Sequence, residues 1–378
     1  MKKFITTLIL LFILIVGGTY FISNVYSKSG NLLGIEGIGK LIDDSTKLED
    51  SKITGEDVYI DENYSIYYTF LTEDGKKLYK QIYANMLEGK DKFIPVINMN
   101  VEDISDVIDA VIYDHPEIFW FDSSYTYLYT KDNICRQIIL SYNDLINDLD
   151  SNKAIFNDKI NTILGEANNY SSLFEKEKFI HDYLINNNSY NLGAKYNQTA
   201  YSALVNGSTV CAGYSKAFQL LMTKLGIPTY YVVGISKDEN HAWNIVNISG
   251  NYYNVDVTWD DSSYNKYKYY NKSDRDFTSH VREDLSLLLP SCNSTYQEKK
   301  VTIQKKKEIV VPKKEIVVDQ TPSSEKEENK DVKEEVVDDQ DSAISEETIP
   351  SSIDEEVEAD EAINNNEVLE KEKDHMVE

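Results

Sequence analysis

Cysteine is scarce in this chain: Cys135, Cys211 and Cys292 are the only ones in 378 residues. That is too few, too widely spread, for a disulfide scaffold. No spacing among His, Cys and acidic residues suits a zinc site. No Gly-rich loop follows a strand to cradle phosphate, and the acidic positions Asp256, Asp260, Asp261 and Asp274 lack the order of a calcium loop. Neither a metal nor a cofactor is therefore expected. Basic residues are also in deficit, with 38 Lys plus Arg against 64 Asp plus Glu and a net charge of −26. Such a chain repels phosphate, which excludes nucleic acid as a partner. Aromatic residues are missing altogether from Val301 onward, where 10 Lys face 25 Asp plus Glu, roughly −15. A segment so polar cannot bury enough surface to offset chain entropy. Residues 296–378 read as a disordered acidic tail, a solvated spacer carrying one short imperfect repeat, Lys307-Glu308-Ile309-Val310-Val311 and Lys314-Glu315-Ile316-Val317-Val318.

Charge is absent from residues 4–22, just after Lys2 and Lys3. The run matches the roughly twenty residues of a bilayer-spanning helix and exceeds the usual signal-peptide core of about 7 to 15. Residues 1–27 are read as a signal anchor, with Lys2 and Lys3 on the cytoplasmic side. Cleavage near Val25-Tyr26-Ser27 is the alternative. Either way the rest of the chain is expected outside the cell, as a single-pass membrane protein or as a secreted one. An odd cysteine count in an exported chain implies at least one free thiol. Cys211 suits a nucleophile better than a bridge does, and a Cys135–Cys292 bridge is left open. The abundance of Asn, Ile, Lys and Tyr points to an A/T-rich bacterial genome.

Residues 28–64 are Gly- and Asp-rich with little periodicity and read as a stalk. An N-terminal α+β region follows over 65–165. Thr72 precedes a helical pattern of Leu78, Ile82 and Met86; a second pattern carries Ile104, Val107, Ile108, Val111 and Ile112. His115 precedes Pro116, where a helix must stop. Tyr125 to Tyr129 and Gln137 to Tyr142 read as strands, and Asp144 as the cap of a helix reaching about Leu164.

The chemistry concentrates further on, where Cys211, His241 and Asp256 fall in that order within fifty residues. Cys211 lies in Gly207-Ser208-Thr209-Val210-Cys211-Ala212-Gly213-Tyr214, where a polar turn gives way to the apolar pattern Ala217, Phe218, Leu220, Leu221, Leu225. It therefore opens a helix, whose unpaired amides and dipole favour a thiolate. His241 enters a strand, Asn240 to Ile248. Ser249-Gly250 is a hairpin signal, and a second strand is expected over 251–259. With that pair as the turn, Ile248 faces Asn251, Trp243 faces Asp256 and His241 faces Thr258, which makes His241 and Asp256 diagonal neighbours on one face. Asp256 would hold one ring nitrogen of His241 and leave the other for the thiol, as a nucleophile, base and orienter require.

Each residue alone has a plainer reading: a buried small Cys, a hydrogen-bonded His, an Asp satisfied in a turn. Their joint spacing favours catalysis. His181 reads as structural, paired with Asp182 or a nearby turn; His280 and His375 read as isolated.

The three segments resemble the bacterial transglutaminase-like superfamily. Gly-x-x-x-Cys-x-Gly-Tyr at a helix start, His-Ala-Trp-Asn at a strand start and Val-Asp-Val-Thr-Trp-Asp-Asp after it match over residues 173–261, together with Lys178-Phe179-Ile180-His181-Asp182-Tyr183-Leu184. The branch resembled is related to kyphoscoliosis peptidase and to fungal cytokinesis proteins. Asp114-His115-Pro116-Glu117-Ile118-Phe119-Trp120 is similar to the region preceding the core in bacterial members. One position departs from the animal crosslinking enzymes, which place Trp after the nucleophile where this chain has Ala212.

The resemblance implies an α+β, papain-like transglutaminase core over 166–295 and a Cys211-His241-Asp256 triad. It implies an enzyme attacking carboxamide or peptide carbonyls through a thioester, as an acyl transferase or a peptidase. The partner is then a protein or peptide substrate, cell-wall-associated ones included. The competing expectation is a catalytically inactive, surface-anchored binding module on the same fold.

Overall fold

The computed structural model describes residues 36–296, all within the unit that ends at Thr302. The apolar run at 4–22 and the acidic tail beyond 296 lie outside the described residues. Among the described residues no helix is long and apolar enough to cross a membrane.

The elements in chain order are β1 (Glu36–Leu41), α1 (Ile66–Phe70), α2 (Glu73–Leu87), β2 (Lys92–Phe93), α3 (Ile104–Asp114), β3 (Phe121–Tyr129) and β4 (Cys135–Tyr142). Then come α4 (Leu149–Ala167), α5 (Leu173–Asn187), β5 (Ser189–Tyr190), β6 (Ser208–Thr209), α6 (Cys211–Lys224), β7 (Thr229–Ser236), β8 (Glu239–Ile248), β9 (Asn251–Val255), α7 (Val257–Ser262) and β10 (His280–Arg282). The protein is α+β: one sheet has the order β1-β3-β4-β2, a second the order β10-β7-β8-β9, and β5 and β6 form a short parallel pair.

Local chemistry accounts for the helices. The Thr72 hydroxyl accepts the Gly75 N–H and starts α2, whose Leu78, Ile82 and Met86 are buried. The apolar face of α3 is buried along its length, and the helix ends at Asp114, one residue before the His115-Pro116 bond.

Two expectations fail here. Asp144 does not cap α4: Asn143 accepts the Leu145 N–H and starts a 3₁₀ turn, and α4 begins only at Leu149. The Asp144 carboxylate is taken instead by Lys195 Nζ at 2.7 Å and the Tyr196 hydroxyl at 2.6 Å. Nor is 36–64 a free stalk. β1 pairs in parallel with β3, and Ile60 is buried. Five of the six β1 residues are exposed, so backbone pairing rather than apolar alternation makes this strand. Gly37 is the exception, lying where an added Cβ would come within 2.5 Å of the Tyr125 ring.

The second sheet carries the site. β7 and most of β8 are buried, so both faces are covered. α6 lies on this sheet, with Asn244 Nδ2 of β8 donating to the Ser215 carbonyl at 3.0 Å. Its buried Phe218, Leu220 and Leu221 each contribute about 1.5–3 kcal/mol of apolar burial. The N-terminal half packs on the same core: the Tyr67 hydroxyl of α1 donates to the Tyr231 carbonyl of β7, and Gln219 Nε2 of α6 donates to the Tyr113 carbonyl of α3. All three cysteines are free and buried, which settles the open question of a Cys135–Cys292 bridge.

Candidate active site

Cys211 is the first residue of α6, after an extended Val210 that supplies no side-chain cap. The amides of the first turn are left without a side-chain acceptor. The chain before the helix approaches it closely because residue 213 is glycine. A Cβ there would lie 1.9 Å from Thr209 Oγ1 and 2.8 and 2.9 Å from the Thr199 and Asn197 carbonyls. Asn197 in turn accepts from Val210 N and Thr209 Oγ1. The 195–199 segment thus runs beside the start of the cysteine helix. It also forms one wall of a cavity of about 550 Å³, opposite residues 121–123 and 142–144.

Two hairpins place the other groups. The β7–β8 turn is Lys237-Asp238, both left-handed at φ 53° and 65°, the conformation whose twist suits a two-residue hairpin. It sets His241 opposite Gly234. The β8–β9 turn is Ser249-Gly250, at φ 54° and 83°, and the ladder runs from Ile248 with Asn251 to Asn244 with Val255. That is the register read from the sequence, but the strand stops sooner than expected. Asp256 leaves the ladder and caps α7, accepting the Trp259 N–H at 3.0 Å through Oδ1. Asp260 Oδ1 then accepts the Tyr269 N–H at 2.7 Å. The Asp256 cap overrides the β-preference of Val257, Thr258 and Trp259, so Thr258 lies in a helix rather than opposite His241.

His241 and Asp256 nonetheless meet. His241 Nε2 lies 2.8 Å from Asp256 Oδ2, which leaves Nδ1 as the free ring nitrogen, and Cys211 is near enough to act on the charge of His241. The Asp256 side chain is fully buried, and Cys211 is 5% exposed. Burial alone would lower the His241 pKa. The Asp256 carboxylate outweighs it by charge and hydrogen bond, Cys211 adds to the effect, and the pKa is pushed up to about 10. For Asp256, burial opposes ionisation, yet His241 and a second histidine hold it well below the usual carboxylate range.

That second histidine is His280, read above as isolated. Its Nε2 lies 2.9 Å from the same oxygen, Asp256 Oδ2. It reaches the site through β10, which pairs with β7. A three-residue strand carries no periodic signal, so nothing local in the sequence announces it.

The aromatic residues pack around this group. Trp243 Nε1 donates to Asn254 Oδ1. The Trp259 ring centroid lies 5.4 Å from that of His241, and Lys237 Nζ sits 3.6 Å from the Trp259 ring centroid. His181 is structural: its ring nitrogens face Asp182 at 3.0 Å and Asp260 at 3.1 Å, pinning α7 to α5. Burial opposes its charge, but the two carboxylates raise its pKa. His375 lies outside the described residues.

Among the described residues, the one group spaced to hold a metal ion is His241, Asp256 and His280. Here both Nε2 atoms point at one carboxylate oxygen at hydrogen-bond distance. The polar atoms therefore satisfy one another, which accounts for the cluster without an ion.

The family model described as the transglutaminase-like superfamily matches residues 160–257, about a quarter of the chain, and this stretch includes Cys211, His241 and Asp256. This segment is a transglutaminase-like core. No curated protein matches the chain. Among solved structures it is similar to a candidate cysteine protease from Cytophaga hutchinsonii, at 20% identity over 32% of this chain and 41% of that one, with a TM-score of 0.26. It is also similar to a TGase, at 16% identity over 44% of this chain and 51% of that one, again with a TM-score of 0.26. The chain thus spans about half or less of each, and similarity this low carries no weight for fold or activity.

Proposed function

We propose that this protein is an exported thiol-dependent acyl transferase or peptidase acting on protein or peptide amide bonds. The observation that carries the reading is the 2.8 Å contact of His241 Nε2 with a fully buried Asp256 carboxylate, which leaves Nδ1 free to serve Cys211. Cys211 Sγ attacks the carbonyl carbon and a tetrahedral intermediate forms, its oxyanion stabilised by amides at the start of α6. The C–N bond breaks, the leaving amine or ammonia takes a proton from His241 Nδ1, and a thioester remains. An acceptor amine or water gives its proton to His241, attacks the thioester and releases Cys211. Asp256 stays ionised and orients the ring. Support for the chemistry comes from the transglutaminase-like match over the same residues. Export rests on the uncharged run at 4–22.

The 5% exposure of Cys211 favours a second reading, an inactive binding module. One experiment separates them. The full chain is incubated with a glutamine-rich protein and a small primary amine, and product masses are read. Amine incorporation with loss of ammonia marks a transferase, and peptide cleavage or deamidation marks a hydrolase. No change in mass with any protein substrate, in a chain whose Cys211 is intact, would overturn the enzymatic reading.

A further inference from the structure

We propose that His280 is a positioning residue of the thiol site, donating Nε2–H to Asp256 Oδ2 and so fixing the carboxylate that orients His241. The inference rests on the reading of Cys211 as nucleophile and adds a residue outside the expected triad.

Three donors converge on Asp256. Trp259 N–H serves Oδ1 at 3.0 Å, while His241 and His280 serve Oδ2 at 2.8 and 2.9 Å. A carboxylate held at both oxygens can neither rotate away from His241 nor readily take its proton. The His280 ring is itself held. It stacks on Phe277 at 3.9 Å between centroids, with Trp243 and Trp259 at 5.0 and 5.1 Å, and Nδ1 lies 3.0 Å from Ser279 Oγ. β10 comes this close because residue 234 of β7 is glycine; a Cβ there would lie 2.0 Å from the Val281 carbonyl oxygen.

The His280 side chain is 0% exposed, so it acts through Asp256 and not on substrate. The charged groups facing it are Asp256, His241 and Lys237. Burial lowers its pKa, and the two cations act the same way, outweighing Asp256. His280 is then the neutral imidazole of the pair. A neutral ring facing a carboxylate through Nε2 must carry its proton there, so Nδ1 accepts the Ser279 hydroxyl hydrogen.

The test uses two substitutions in the full chain. His280→Phe keeps a ring in the aromatic cage and removes the donor; His280→Gln keeps an N–H at similar reach. Cys211 alkylation by iodoacetamide is followed against pH, with thermal melting to verify folding. His280→Phe is expected to slow alkylation at pH 7 by about 10- to 100-fold. It should also move the alkaline limb set by His241 upward, because Asp256 then offers its charge to His241 alone. His280→Gln should restore most of the lost rate and the native limb.

An unchanged rate and limb in His280→Phe, or a His280→Gln variant as slow as His280→Phe, would overturn the proposal. If the unsubstituted chain alkylates no faster than free cysteine, the thiol reading fails and takes this one with it. If the unsubstituted chain is fast and dependent on His241 while His280→Phe matches it, the positioning role alone falls. Should His280→Phe not fold, nitrogen NMR of the unsubstituted protein decides: a neutral Nε2–H tautomer at His280 is expected, and an Nδ1–H tautomer or an imidazolium at pH 7 would overturn the proposal.

Discussion

Replacing Asp256 by Asn removes one charge and one acceptor oxygen at nearly constant shape. Asn keeps an oxygen for the Trp259 N–H, so the cap of α7 survives. At the other position an NH₂ group replaces Oδ2 and faces the N–H groups of His241 and His280, donor against donor. The effect on His241 can be worked from its pKa, which rises from an ordinary 6.5 to about 10 against the opposing pull of burial. That gap corresponds to about 5 kcal/mol, a ceiling that local relaxation and water reduce to about 4 kcal/mol. Asp256→Asn should therefore lower the His241 pKa by about 3 units, to near or below 7. The assay is a nitrogen NMR titration of histidine-labelled protein, with His241 among five histidines assigned by its own substitution. A His241 that titrates below 7 in the unsubstituted protein, or that Asp256→Asn leaves near 10, would refute the electrostatic reasoning.

Three further outcomes follow from groups near the site. Burial pushes the Glu177 carboxyl up to about 7, against an ordinary 4.5, and its Oε1 has no hydrogen-bond partner. Its share of stability is therefore fully present below pH 4.5 and lost as pH rises through about 7, about 3 kcal/mol in all. Urea unfolding at pH 5 and pH 8 should show that slope, and Glu177→Gln should flatten it; an equal slope in the variant would refute the assignment. His181→Ala removes the imidazole from the buried Asp260 carboxylate and leaves it only the Tyr269 N–H, and should cost about 3–5 kcal/mol in urea unfolding. A loss under about 1 kcal/mol would show that the pair does not pin α7. Gly213→Ala forces a Cβ to within 1.9 Å of Thr209 Oγ1, so it should destabilise by about 1–3 kcal/mol and slow Cys211 alkylation. Native melting together with native alkylation would contradict the close approach at the helix start.

What was legible in the sequence was local. The cysteine helix begins where its polar turn meets the apolar pattern, and Ser249-Gly250 sets the hairpin register because a two-residue turn leaves little choice of pairing. The fate of Asp256 was harder to read. Val257, Thr258 and Trp259 favour a strand, and the Asp256 cap on the Trp259 N–H turns them into a helix. β1 escaped because an exposed parallel edge strand has no alternation to detect. His280 escaped because its role depends on a pairing of β10 with β7 more than forty residues away in sequence. Pairings of that kind are tertiary facts, with no trace in the residues on either side.

Alkylation of Cys211 by iodoacetamide tests the central claim most directly. Burial pushes the Cys135 and Cys292 thiols up to about 12, so both should be slow and Cys211 should dominate the signal. At pH 7 Cys211 in the unsubstituted chain should react at least about tenfold faster than free cysteine, and His241→Ala should abolish the advantage. A rate no faster than that of free cysteine, unchanged by His241→Ala, would contradict a thiol acyl-transfer site at Cys211, His241 and Asp256.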